Sequence, residues 1–163
     1  MYLKSYEIRW NDLDANGHLG NSSYIEYMSH TRMSFFTENG FDLHFMKSYG
    51  LGPIVINEQI HYFKEYLTQD RVYVGLEVSG MTDDGQFVTI EHNFYNELGR
   101  HMAQAEMLFS FINLNTRKLG VIPEEVSSKI KNFPKSKHFK FFTREDIRTS
   151  GKRPVNINPE KLN

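Results

Sequence analysis

One change of hydrophobic period, set between alternating segments, limits what this chain can fold into. From about Asn21 or Ser22 to Asn39, Tyr24, Met28, Thr31 and Phe35 recur at helical spacing with Ile25, Arg32 and Phe36 beside them, and Gly40 follows as a stop. Before it, Tyr2 to Trp10 alternates, with Tyr2, Lys4, Tyr6, Ile8 and Trp10 on one side, as a half-buried strand does. After it come four strand-like runs: Pro53 to Tyr66, Arg71 to Ser79, Gln86 to Glu97 and His101 to Asn115. In the second of these Val72, Val74, Leu76 and Val78 share one side, and Asp83-Asp84-Gly85 and Leu98-Gly99-Arg100 make tight turns between the later ones. The chain is therefore expected to be α+β. A long helix beside five antiparallel strands buries both apolar faces only if the sheet wraps around the helix. The edge strands of such a sheet stay open, and pairing them across a two-fold axis is a common remedy, so a homodimer or homotetramer is expected.

The remaining segments carry weaker signals. Phe41 to Gly52 reads as a connector with a helical turn around Leu43 to Tyr49, and Pro123 to Lys131 as a short helix with Pro in first position. A length of 163 residues suits one domain, and residues 1–133 are expected to form it. Residues 134–163 are expected to be a basic, partly irregular extension, helical at most around Thr143 to Arg148. Eight of the 19 Lys and Arg lie in that extension against three Asp and Glu, leaving 11 basic against 17 acidic residues before it. Such a tail either is a solvated surface or faces a phosphorylated ligand such as coenzyme A. The overall net charge of −1 gives no reason to expect nucleic acid or an anionic membrane as a partner. With no cysteine, a thiol nucleophile, a disulfide and a cysteine-ligated zinc are all excluded. No apolar leader or membrane-length run is present, and a cytoplasmic location is expected.

Between the first strand and the helix lies the densest group of chemically able side chains, Trp10 to Tyr24. It holds Asp12, Asp14, Asn11, Asn16, His18, Gly17 and Gly20, then Asn21, Ser22 and Ser23, whose side chains suit the capping of a helix N-terminus. Other sites lack support: there is no Gly-x-Ser-x-Gly elbow, no phosphate-binding glycine loop, and no metal-ligand spacing among the seven His residues. No metal is expected.

Asp12-Leu13-Asp14-Ala15-Asn16-Gly17-His18, followed by Asn21 and Tyr24, resembles the signature of hotdog-fold thioesterases, the 4-hydroxybenzoyl-CoA thioesterase-like and acyl-carrier-protein enzymes. The resemblance runs from about Tyr2 to Pro123. It implies a hotdog fold, a five-stranded antiparallel sheet around a long central helix, and hydrolysis of an acyl-CoA or acyl-carrier-protein thioester. It makes Asp14 the catalytic carboxylate, as nucleophile or base, and Asp12 a loop stabiliser. The Asn21 backbone N–H, at the positive end of the helix, would polarise the thioester carbonyl. Asn16 and His18 would help orient water, and the Tyr62-Phe63-Lys64-Glu65 pattern nominates Glu65 beside them. No cofactor is implied, since coenzyme A is part of the substrate.

Two other functions compete. A hotdog enoyl-thioester hydratase would resemble Asp-x-Asn-Pro-x-His, with His five residues after Asp; here His18 lies four after Asp14 and Gly17 replaces Pro. A non-catalytic acyl-thioester-binding protein would not need Asp14, Asn16 and His18 together.

Overall fold

The segment of helical period folds as α1 (Asn21–Glu38), and it packs on the inner face of one curved sheet. The computed structural model describes residues 1–159. In chain order the elements are β1 (Tyr2–Glu7), a 3-10 turn (Trp10–Asp12), α1, α2 (Leu43–Ser48), β2 (Leu51–Tyr62), β3 (Arg71–Met81), β4 (Phe87–Tyr95), β5 (His101–Asn113), α3 (Glu124–Lys131), β6 (Lys135–Phe141) and α4 (Arg144–Ser150). Five strands run antiparallel in the order β1-β3-β4-β5-β2, which leaves β2 on an outer edge. This is the α+β hotdog fold, a sheet wrapped around a central helix.

The alternation in the strands sets what faces α1. Val72, Val74, Leu76 and Val78 of β3, Val88, Ile90 and Phe94 of β4, and Ala103, Ala105, Met107, Phe109 and Phe111 of β5 are all buried. α1 answers with Tyr24, Tyr27, Met28, Thr31, Arg32, Phe35 and Phe36. The small Ala103 and Ala105 sit where the larger Tyr24, Tyr66 and Phe94 crowd together, so large and small side chains alternate across the layer. The opposite end of the core is aromatic, with Phe35, Phe36, Phe41 and Phe133 in edge, tilted and stacked contacts.

Several expectations are corrected. The sheet has six strands, not five, because β6 runs parallel to β3 through Val78, Gly80 and Met81. β1 covers β3 only from Arg71 to Leu76, so the rest of that edge is open and β6 fills it, in a segment with no strand-like apolar stripe. The first strand stops at Glu7, and Trp10, placed by alternation on its inner face, is 89% exposed because the chain leaves the sheet for the 3-10 turn. Ile25 is likewise exposed, and Tyr27 takes a buried place on α1. β2 starts two residues earlier than expected and ends at Tyr62, before the turn that returns Tyr66 to the core. Pro123 caps α3 from outside rather than opening it. No helix among the described residues is long and apolar enough to cross a membrane.

Candidate active site

The loop between β1 and α1 is built on Asp12, which is almost wholly buried. Its carboxylate accepts hydrogen bonds from the Arg9 backbone N–H (2.8 Å), from Arg9 Nε and Nη2 (3.1 and 2.9 Å) and from the Tyr27 hydroxyl (2.7 Å). Burial alone would push this carboxyl up, but the Arg9 and Tyr27 hydrogen bonds win and hold it below the usual carboxylate range. The Asp12 carbonyl then accepts from the Gly20 N–H (2.8 Å) and the Ser23 hydroxyl (2.9 Å), tying the loop to the first turn of α1. Gly20 permits this approach, since a Cβ there would lie 3.3 Å from the Asp12 oxygen. Asp12 is thus a scaffold.

Asp14 sits two residues further on, exposed, in a closed turn. Its N–H donates to the His18 carbonyl (2.8 Å), its carbonyl accepts from Gly17 N–H (3.0 Å), and Gly17 itself has a positive φ of 74°. Asp14 Oδ1 accepts the backbone N–H of Asn16 (2.8 Å) and of His18 (3.1 Å). The hydrogen bond from His18, opposed by partial burial and reinforced by Asn16, lowers the Asp14 carboxyl, so the side chain is ionised at neutral pH. His18 is held from the far side by a bridge to Leu67, and its Nε2 lies 3.2 Å from Glu65 Oε2.

These groups open on one cleft of about 370 Å³, lined by Asp14, His18, Leu19, Asn21, Tyr24, Tyr62, Phe63, Lys64 and Glu65. Asn21 stands at the start of α1, where helix amides lack internal partners. Its side chain accepts the Ser22 N–H (3.0 Å), and its own N–H has no acceptor among the described residues. The cleft therefore holds an anion, an imidazole–carboxylate pair and an unpaired amide at the positive end of an 18-residue helix.

Of the expected site residues, Asp14, His18, Asn21 and Glu65 are brought together on this cleft. The Asn16 side chain is not on the lining, and its N–H instead braces Asp14. Two further lining residues were not nominated from the sequence: Tyr24, which entered only as part of the signature, and Lys64. Tyr24 lies in the core by its ring, its hydroxyl pushed up to about 12 by burial and then by Tyr62, so it is a donor at neutral pH. Besides its place in the signature, it stands one turn after Asn21, which helical spacing puts on the same end of α1. Lys64 follows β2 in the stretch whose backbone pairs with Met102, and nothing in its neighbours' pattern marks it.

A sheet closed around a helix whose N-terminus faces an aspartate loop defines the hotdog thioesterase class. The chain belongs to the thioesterase-like superfamily, whose family model matches residues 8–130. No curated protein matches it. Among solved structures it is similar to protein SAV2348 from Staphylococcus aureus, crystallised in complex with CoA (TM-score 0.74, 19% identity, 94% of each chain covered). It is also similar to a 1,4-dihydroxy-2-naphthoyl-CoA thioesterase from Synechocystis (TM-score 0.70, 16% identity, 80% of this chain and 96% of that one). A DHNA-CoA thioesterase from Staphylococcus aureus matches at a TM-score of 0.70 and 18% identity, over 79% of this chain and 89% of that one.

Proposed function

We propose that this protein hydrolyses an acyl thioester of coenzyme A or of an acyl-carrier protein to the free acid and the thiol. The observation that carries the reading is that the ionised Asp14 and the unpaired Asn21 N–H line the same cleft. Asp14 acts as base toward water or as nucleophile at the thioester carbon. The Asn21 N–H donates to the carbonyl oxygen as negative charge develops there, a contribution of about 3–4 kcal/mol from one preorganised donor. His18, paired with Glu65, orients water beside Asp14, and Asn16 holds the Asp14 carboxylate in position. The C–S bond breaks, and the thiolate takes the proton that leaves the water. No cofactor enters this scheme, because coenzyme A arrives with the substrate. A cytoplasmic setting fits a chain without cysteine.

A second copy of the chain belongs to this reading. β2 is a twelve-residue edge strand carrying exposed Val55, Ile56 and Tyr62, and the cleft lies at its end. Pairing β2 with its symmetry mate would remove the open edge. The basic segment after residue 134 meets β3 at Val78 to Met81, whereas the cleft lies beyond the other end of that strand, so within one protomer the tail is not proposed as a coenzyme A contact. The test is free-thiol release from a panel of acyl-CoAs and acyl-carrier proteins. Turnover on at least one chain length is expected, and inertness toward all of them would overturn the proposal.

A further inference from the structure

Tyr24 carries a hydroxyl for which the fold supplies no partner. The residue is 3% exposed, and its ring is fixed by Tyr62 edge-on at 5.0 Å, by Phe94 at 5.1 Å and by Tyr66 at 6.1 Å. A buried tyrosine hydroxyl ordinarily bonds to the chain around it. Tyr27 reaches Asp12 (2.7 Å) and the Glu7 carbonyl (3.2 Å), and Tyr6 meets Thr31 Oγ1 (2.7 Å). The Tyr24 hydroxyl meets no acceptor among the described residues, Asp14 and Glu65 included. Unlike the Tyr66 hydroxyl, it is not a sealed atom. The little surface that Tyr24 keeps therefore includes this oxygen, and the cavity it lines is the cleft of about 370 Å³ shared with Asp14 and Asn21.

The position suits the reacting group. Tyr24 stands three residues after Asn21, about 4.5 Å along the axis at about 1.5 Å per residue. Side chains of a helix lean back toward its N-terminus, which here means toward the unpaired Asn21 N–H. With the ring held on three sides, only the O–H torsion stays free, so the donor is preorganised. Burial, and then Tyr62, push the hydroxyl up to about 12, and it keeps its proton at neutral pH. The cleft thus offers two donors without acceptors, one from the backbone and one from a buried ring, beside an ionised carboxylate.

We propose that the Tyr24 hydroxyl is a second donor to the thioester carbonyl oxygen and completes, with the Asn21 N–H, a two-donor site for the charge that develops there. This inference rests on the thioesterase reading above. No proton is transferred. The hydrogen bond strengthens as the oxygen gains charge and relaxes when the C–S bond breaks and the carbonyl re-forms. A desolvated donor that needs no reorganisation acts more strongly on that charge than water would.

Tyr24→Phe removes the oxygen and keeps the ring contacts. Its kcat for thiol release is expected to fall about 10²–10³-fold with KM nearly unchanged, the pattern of an interaction that matters most in the transition state. Its melting temperature should stay level or rise, since an unpartnered buried hydroxyl is lost. A merely structural tyrosine would lower the melting temperature and spare kcat. The second readout is the infrared stretch of an isotope-labelled carbonyl in a bound ketone analogue of the acyl-CoA, with a methylene in place of sulfur. In the wild type this stretch should lie at or below its frequency in water, as two donors require, and Tyr24→Phe should raise it. A wild-type frequency between those in water and in hexane means a single donor and overturns the proposal, even where the variant fails to fold. A folded variant with wild-type kcat overturns it too, as does a lowered kcat with an unmoved carbonyl. An inert wild type overturns the thioesterase reading instead. The bound ketone then still judges the hydroxyl, and a ketone that does not bind overturns both.

Discussion

Two aspartates two residues apart are held in opposite surroundings. Asp12 points inward to Arg9 and Tyr27, and Asp14 points outward with its charge supported by backbone N–H groups. That division was legible in the sequence from the signature, but its physical cause was not, since Tyr27 lies 15 residues away and reaches Asp12 only through the fold. Asp12→Ala should therefore cost about 2 kcal/mol by leaving buried donors unpaired, or roughly 4–8 °C in melting temperature for a chain of this size. The pH sign follows from the lowered carboxyl. The unfolded state holds more protons than the native state once pH falls into the carboxylate range, so the Asp12 contribution is present at neutral pH and lost on acidification through its lowered native value. Melting curves between neutral pH and pH 3 should converge for wild type and variant. Parallel curves would mean that Asp12 is not the acid-sensitive tie.

At the scale of elements, periodicity carried α1 and the inner face of β3, because burial on one face writes itself into alternation. It failed where tertiary context decides. β6 forms because β3 outruns β1, a fact about strand lengths rather than about the sequence Lys135 to Phe141. Trp10 leaves its expected face because the Asp12 turn ends the strand early. β1 and β2 end the sheet, and β2 is the longer of the two, with apolar side chains exposed along it. A charge there should oppose edge pairing. If β2 pairs with its symmetry mate as proposed, the wild type is a dimer in light scattering and Ile56→Lys is expected to be a monomer, with its circular dichroism unchanged. An undiminished dimer would place the interface elsewhere.

For the molecule as a whole, the fold puts two things on one cleft: the Asp14 loop and the N-terminus of α1. The first was readable as a motif. The second followed once the helix was placed after the loop. The buried Arg32 cluster was not readable, because Glu58 and His92 carry no local signal and meet Arg32 only when β2 and β4 close around the helix. Thioester hydrolysis at this junction is proposed to depend on Asp14. It is tested most directly by thiol release from the best acyl-CoA of the panel, wild type against Asp14→Ala, with circular dichroism to confirm that both fold alike. A fall in kcat of about 10²–10⁴-fold is predicted. A folded Asp14→Ala protein that hydrolyses the thioester at the wild-type rate would contradict it.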